Sequence, residues 1–167
     1  MVASNDFVDL IYHNRQTKSA TLSDFFSTLL GPKTVDIANY RLAVDGLVDK
    51  PLTLTYGDIM LYPTVTQVVL LVCPNFFADN AEWTGVLVST LLAEAGVMTQ
   101  AKKVTFYAVD GYQRTLSREE ALSDGVFLAY TVDGQVLPLK HGYPLRLVVK
   151  GVFGDRWVKW VDHIKIS

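Results

Sequence analysis

The pattern of apolar positions changes from helical to alternating near Tyr40. Residues 1–20 are polar and weakly patterned, which predicts an arm or loop. Residues 21–30 place their leucines and phenylalanines at helical spacing before Gly31-Pro32, which predicts a short amphipathic helix. From Tyr40 onward, short segments of β type dominate, and turn pairs such as Asp45-Gly46 separate them.

The most apolar segment of the chain runs from Val65 to Val72 and is followed by Cys73 and Pro74. It predicts a strand that is buried on both faces and ends at Cys73, because proline cannot donate to the ladder. A thiol at the end of a rigid strand suits a metal ligand or a nucleophile. A lone cysteine after an apolar run is also commonly just a small buried hydrophobic residue.

The remaining elements predict an α+β fold. Residues 74–82 predict a loop, and residues 86–95 a helix with Gly96 as its C-terminal cap. Capping patterns at Thr55 and Ser117 predict two short helical turns. Further strands are predicted over 40–44, 51–55, 104–109, 126–131, 144–149, 156–161 and 163–166. Many short strands without regular β-α alternation predict mixed β-sheets with a few short helices. We expect an N-terminal arm and short helix over residues 1–37 and one domain over 38–167.

Composition is that of a well-packed globular chain. The 167 residues are 50% hydrophobic and 19% charged, which fits one domain with a sizeable core. The longest apolar runs have strand length, so we expect no membrane span and a soluble protein. Residues 1–16 lack the basic and apolar regions of a signal peptide. The single cysteine excludes an internal disulfide, so the compartment, cytoplasmic or periplasmic, stays open.

Charge is unevenly distributed along the chain. Between Lys140 and Lys165 there are six Lys/Arg against Asp155 and Asp162, whereas the residues before Lys140 carry nine Lys/Arg against fifteen Asp/Glu. A basic segment on an acidic body indicates an anion site, although solvated strand and loop positions would give the same count. The sequence has no Gly-rich phosphate loop, no Cys-x-x-Cys and no His-Glu-x-x-His, which argues against the common nucleotide-binding and zinc-enzyme classes.

Several stretches, taken in order, resemble one known family. They are Tyr-x-Leu-x-Val-x-Gly-Leu-Val from Tyr40, Pro-Leu-Thr-Leu from Pro51, the strand ending in Cys73, Trp83-Thr84-Gly85-Val86, Asp110-Gly111-Tyr112, Leu128-Ala129-Tyr130, the run from His141 to Val149, and Trp157-Val158-Lys159-Trp160. The ordered set is similar to the molybdopterin-binding domain of the sulfite oxidase family. That family also includes the catalytic subunit of periplasmic methionine-sulfoxide reductases. The resemblance covers residues 38–167.

The resemblance implies a cofactor and the residues that hold it. Cys73 falls on the position of the single protein thiolate that ligates molybdenum, with the dithiolene of the pterin supplying the other sulfurs; tungsten would be held the same way. Pterin contacts are implied for the basic segment, namely for His141, Arg146, Arg156, Trp157, Val158 and Lys159. Tyr112 and Asp110 are candidates for assisting proton movement at the catalytic centre.

The sequence also departs from the family pattern. Cys73 is followed by Pro-Asn-Phe-Phe, where sulfite oxidases place an arginine that helps to bind the anionic substrate. This departure favours a neutral or more apolar substrate, with Phe76 and Phe77 at the entrance. Lys150 stands where the family commonly has a proline, and His13-Asn14 is the nearest counterpart of an N-terminal cofactor contact.

We therefore predict a minimal molybdopterin-dependent oxidoreductase that transfers an oxo group to or from a small substrate. With neither a haem domain nor a dimerisation domain in the sequence, a separate electron-transfer protein is the expected partner; no nucleic acid or integral membrane segment is expected. Two alternatives stay open. One is a non-catalytic module that keeps this fold and binds a ligand or a protein partner. The other is a cysteine-nucleophile enzyme that uses Cys73 with His141.

Overall fold

The computed structural model describes residues 34–73 and 77–167, with the backbone alone at residues 73, 77 and 78. The described elements are β1 (Leu42–Gly46), β2 (Leu52–Leu54), α1 (Tyr56–Ile59), β3 (Thr64–Cys73), β4 (Phe77–Leu87), α2 (Val88–Ala95), β5 (Lys103–Ala108), β6 (Gln113–Ser117), α3 (Arg118–Ala121), β7 (Val126–Val132), β8 (Gln135–Val136), β9 (Arg146–Val149) and β10 (Val161–Ile166). Two 3-10 helices, Leu139–His141 and Gly154–Arg156, flank β9. None of the helices in these ranges is long and apolar enough to cross a membrane.

The first sheet joins the beginning of the described chain to its end. Its strand order is β2-β1-β10-β5-β6, and β1 runs parallel to β10 whereas the other neighbours are antiparallel. Alternate side chains of these strands, such as Leu42, Val104 and Ile164, are fully buried and form one side of the core. The sheet is therefore mixed, as predicted.

The second sheet contains β3, β4 and the strands β7 to β9. β3 pairs with β4 and β4 with β7, while β8 and β9 both pair with β7. The first five residues of β7 and all four residues of β9 are buried, so these two paired strands lie in the core. Two sheets with three short helices confirm the α+β prediction.

The environment of β3 corrects the sequence prediction. β3 ends at Cys73 as predicted, but it lies at the edge of its sheet and is not buried on both faces. Val69 and Leu71 are 1% and 8% exposed, whereas Val68 and Leu70 are 56% and 39% exposed. Only one face of the strand therefore packs on the core. Because valine and leucine fill both faces, the sequence did not show that one of them is exposed.

The segment after Cys73 is a strand where a loop was predicted. From Phe77 the chain returns as β4 along the full length of β3, with Cys73 paired to Phe77 and Thr64 paired to Val86. The alternation of exposed Asn80 and Glu82 with buried Ala81 and Trp83 is a one-sided strand pattern that the polar residues obscured. As β4 extends to Leu87, the following helix starts at Val88 and not at residue 86.

The capping predictions are confirmed, and the strand predicted over 156–161 is wrong. Thr55 and Ser117 both form complete capping boxes, and Gly96 caps α2 with a left-handed φ of 69°. In place of the predicted strand there is a 3-10 helix to Arg156 and an isolated bridge at Val158, because Trp160 adopts a φ of 53° that a strand cannot accommodate. β6 was not predicted, and the helix predicted over 21–30 lies outside the described residues.

Candidate functional site

The turn that carries His141 lies directly against the segment that carries Lys159. The 3-10 helix Leu139–His141 ends at Gly142, whose φ is 114°. A Cβ atom at position 142 would lie 3.1 Å from the Cα atom of Lys159 and 3.2 Å from the Cβ atom of Arg146. Glycine is required here both by the backbone conformation and by this close approach.

Hydrogen bonds join these two segments along their length. The amide of Leu147 donates to the carbonyl of Val158 at 2.8 Å, and the amide of Val161 donates to the carbonyl of Leu145 at 3.0 Å. The Nζ atom of Lys159 donates to the carbonyl of Lys140 at 2.6 Å. The structure thus brings together the His141 and Lys159 regions that the sequence placed in one basic segment.

Arg146 is buried in this region and lies against two indoles. It is 4% exposed, and its guanidinium carbon lies 5.3 Å from the ring centroid of Trp83 and 5.2 Å from that of Trp157. The two indoles contact each other edge to face, with centroids 5.4 Å apart. The Nη1 atom of Arg146 donates to the carbonyl of His141 at 3.1 Å. A cation held by two aromatic faces and a carbonyl has a fixed position.

The same cluster contains a buried hydrogen-bond donor. Trp83 is 4% exposed, and its Nε1 atom has no hydrogen-bond partner among the described residues. The indole of Trp157, by contrast, donates to the carbonyl of Val149 at 3.0 Å. A buried N–H of this kind calls for an acceptor, which a ligand can supply. Trp83 was part of the Trp-Thr-Gly stretch that carried the family resemblance, but sequence reasoning did not place it in the site.

Arg156 points to a different neighbour. Its Nη2 atom lies 3.1 Å from the Oε1 atom of Glu120, which is the third residue of α3 and belongs to the Ser117 capping box. Hydrogen bonds from Ser117, first from its backbone, and the Arg156 guanidinium lower the pKa of the Glu120 carboxyl below its ordinary value of 4.5. Arg156 is therefore fixed by a carboxylate that the sequence reasoning did not connect with it.

The turn of Asp110 and Tyr112 lies beside the segment that follows β9. The phenol of Tyr112 donates to the carbonyl of Asp155 at 2.6 Å, and the Nε atom of Arg114 donates to the same carbonyl at 2.6 Å. The carboxylate of Asp110 accepts the amide of Tyr112 at 3.0 Å and so fixes the turn. Burial raises the pKa of the Tyr112 phenol; the charge of Arg114 opposes this shift and those of Asp155 and Asp110 add to it. The phenol keeps its proton at neutral pH.

Cys73 lies at the end of a strand that contacts the segment of Arg156. It is the last residue of β3, and β3 contacts the 3-10 helix Gly154–Arg156. Val158, another of the residues predicted to contact the cofactor, is fully buried. Its backbone carbonyl accepts the amide of Leu147.

The donor set on these two segments fits an anionic cofactor that also carries hydrogen-bond acceptors. Lys140, His141, Arg146 and Lys159 supply cationic or donor groups within one hydrogen-bonded unit, and the buried N–H of Trp83 adds a neutral donor. A pterin that bears a phosphate presents both kinds of acceptor.

Comparison with known proteins identifies the family. The family model described as "Oxidoreductase molybdopterin binding domain" matches residues 30–167. This chain belongs to that family. The predicted family and its cofactor, molybdopterin, are thereby confirmed.

Individual relatives agree with this assignment. The chain is 31% identical to the NADH nitrate reductase of Ulva prolifera over 77% of this chain and 19% of the relative. It is 30% identical, over 81% of this chain and 52% of the relative, to YedZ1 of Azospira oryzae, provisionally named a protein-methionine-sulfoxide reductase subunit. The crystal structure of the sulfane dehydrogenase SoxCD from Paracoccus pantotrophus superimposes with a TM-score of 0.77 and 33% identity, over 81% of this chain and 40% of that one. The chain thus spans between about a fifth and about half of the curated relatives described here.

Proposed function

We propose that this chain is an oxidoreductase domain that transfers an oxo group to or from a small substrate at a molybdenum centre ligated by Cys73. Electrons would pass to or from a separate carrier protein. The observation that carries the proposal is the joining of the His141 turn, Arg146 and Lys159 into one hydrogen-bonded unit in a chain of the molybdopterin-binding family. When bound, the cofactor supplies a metal whose oxidation state can change by two electrons.

We assign the phosphate of the cofactor to the cationic groups of this unit. The guanidinium of Arg146 is fixed by the His141 carbonyl and two indoles, and the ammonium of Lys159 is held at the Lys140 carbonyl. Because these cations are already in place, little side-chain entropy would be lost when an anion binds. We assign a further contact to the cofactor to His141, which lies in the same turn as Lys140.

The other predicted contacts form the wall of this site. Trp157 and Val158 are 3% and 0% exposed, so we assign them to packing and to backbone contacts and not to charge. Arg156, fixed by Glu120, would place its guanidinium between α3 and the segment of Trp157 to Lys159. Cys73 would supply the soft thiolate that a high-valent molybdenum centre prefers.

Tyr112 and Asp110 are our candidates for proton movement. They lie on the turn next to the 3-10 helix Gly154–Arg156, and the raised pKa of the phenol keeps it protonated at neutral pH. Asp110, whose carboxylate accepts the Tyr112 amide, is the candidate acceptor.

The residues that follow Cys73 support a neutral or apolar substrate. Pro-Asn-Phe-Phe contains no cation to attract an anion such as sulfite, and its two phenylalanines offer apolar contact area. A thioether or a sulfoxide has the matching chemistry.

The test is the cofactor content of the purified chain. The protein is expressed in a host that makes the cofactor, with molybdate supplied, and is analysed for metal by mass spectrometry and for pterin by fluorescence after acid release. We expect about one molybdenum and one pterin per chain. A known member of the family is prepared from the same host as a control. If that control loads and this chain is folded but empty, the proposed function is wrong.

A further inference from the structure

Trp160 has a backbone conformation that a bulky residue rarely adopts. Its φ is 53°, in the left-handed region where residues other than glycine, asparagine and aspartate are uncommon. The residue is nevertheless 5% exposed and well packed. A conformation that costs free energy persists only where the surrounding contacts hold it, so the contacts of Trp160 are informative.

Those contacts enclose the His141 turn from both sides. The indole Nε1 atom of Trp160 donates to the carbonyl of Leu139 at 2.8 Å, and its amide donates to the carbonyl of Gly142 at 3.3 Å. The two acceptors flank Lys140 and His141. One residue with a left-handed backbone therefore bonds to both ends of the turn.

Trp160 also contacts the other two groups of the site. The Nζ atom of Lys159 lies 5.5 Å from the centroid of its ring, and the Lys159 ammonium bonds to the Lys140 carbonyl between the two acceptors. The carbonyl of Trp160 accepts the amide of Val109, next to the Asp110 turn. Trp160 therefore connects the His141 turn, the Lys159 ammonium and the Asp110 turn.

We infer that Trp160 is a positioning residue for cofactor binding: it fixes the distance between the His141 turn and Lys159 and so sets the spacing of the cations that bind the cofactor phosphate. This inference rests on the proposed function, but it concerns a residue that touches the binding groups and not the cofactor itself. In a less rigid arrangement the His141 turn and the Lys159 ammonium would be free to separate, and the same charges would bind an anion less tightly.

The test uses Trp160→Phe, which keeps an aromatic ring under Lys159 and removes the indole N–H that bonds to Leu139. The matched control is Tyr40→Phe, which removes another buried side-chain donor, from the phenol of Tyr40 to the carbonyl of Val161, without touching the His141 turn. Both variants are loaded in the same host, and the rate at which pterin is lost on dialysis is measured together with the free energy of unfolding in urea.

We expect Trp160→Phe to lose pterin about tenfold faster than the wild type, the size of effect typical of residues that orient a ligating group. Tyr40→Phe, although destabilised to a similar extent, should retain pterin like the wild type. Equal retention in Trp160→Phe and the wild type, or equal loss in both variants, would overturn the inference while leaving the proposed function intact. A wild type that never loads would reject both.

A double-variant cycle separates positioning from general loosening. If Trp160 acts through Lys159, the effects of Trp160→Phe and Lys159→Met on pterin loss should not add. Additive effects would contradict the inference. If Trp160→Phe does not fold, Trp160→His, whose ring retains an N–H group, replaces it and is expected to lose pterin more slowly than Lys159→Met; faster loss would count against positioning by the N–H bond.

Discussion

The phenol of Tyr112 donates a hydrogen bond of 2.6 Å to the backbone carbonyl of Asp155. It thereby fastens the turn after β5 to the 3-10 helix that carries Arg156. Arg114 donates to the same carbonyl at 2.6 Å and stacks its guanidinium 4.8 Å above the Tyr112 ring. Two side chains from one hairpin therefore hold one carbonyl at the border of the proposed site.

This shared acceptor predicts that the two donors are energetically coupled. Because Tyr112 is 38% exposed and Arg114 remains on the carbonyl, Tyr112→Phe should cost less than about 1 kcal/mol in the free energy of unfolding. Removing both donors, with Tyr112→Phe and Arg114→Gln together, should exceed the sum of the single effects by about 0.5 kcal/mol. Urea unfolding of the four proteins measures this. Strictly additive values would show that the two bonds are independent.

Gly142 should be the least replaceable glycine of the site. Gly142→Ala must accept a φ of 114° and a Cβ atom 3.1 Å from the Lys159 backbone, so we expect a loss of about 2–4 kcal/mol in unfolding free energy. Gly134→Ala is the control, because its φ is 71° and no atom lies within 4 Å of the added Cβ. It should lose about 1 kcal/mol. Equal losses would mean that the approach to Lys159 is not tight.

Sequence reasoning predicted the fold and the basic segment but not how its members are held. Local signals were reliable: the Thr55 and Ser117 capping boxes and the Gly96 cap depend on a few neighbouring residues. The partner of Arg156 was missed because Glu120 lies 36 positions away and is paired through tertiary packing. The one-sided burial of β3 was missed for the same reason, since its edge position depends on the order of strands in the sheet.

In the site, too, local signals were informative and tertiary contacts were missed. The charge excess after Lys140 and the stretch from His141 to Arg146 pointed to segments that the structure joins by hydrogen bonds. Two tertiary contacts leave no pattern in the local sequence. Gly142 approaches Lys159 closely, and Arg146 lies against the indoles of Trp83 and Trp157. The assignments of Cys73 and of the individual contact residues stay predictions.

Arg146 should tolerate no replacement that merely preserves its charge. Lysine lacks the planar head that lies against Trp83 and Trp157 and reaches the His141 carbonyl, so Arg146→Lys should lower the unfolding free energy by about 1–3 kcal/mol. Pterin content should fall at least about tenfold, because the proposed bidentate contact of Arg146 to phosphate would be lost. Urea unfolding and pterin fluorescence measure the two effects. Full pterin content in a destabilised Arg146→Lys would show that the planar head serves packing alone.

Glu120 should contribute to the acid sensitivity of the fold. Its pKa is lowered in the folded chain, so its stabilising effect is complete above the ordinary value of 4.5 and disappears as the pH falls through the folded pKa. Urea midpoints measured from neutral pH down to about pH 3 should therefore decline less in Glu120→Gln than in the wild type. Glu119→Gln removes the same charge one position earlier and should decline like the wild type. An unchanged decline in Glu120→Gln would remove Glu120 from this account.

The ligation of molybdenum by Cys73 is the central claim, and X-ray absorption at the molybdenum edge tests it most directly. The spectra of the loaded wild type and of Cys73→Ser give the number of sulfur atoms around the metal. The account predicts that the variant retains pterin through the His141, Arg146 and Lys159 unit, and that its metal has one sulfur neighbour fewer than in the wild type. An identical sulfur shell in the two proteins would contradict it and leave Cys73 as a residue of the β3 strand end alone.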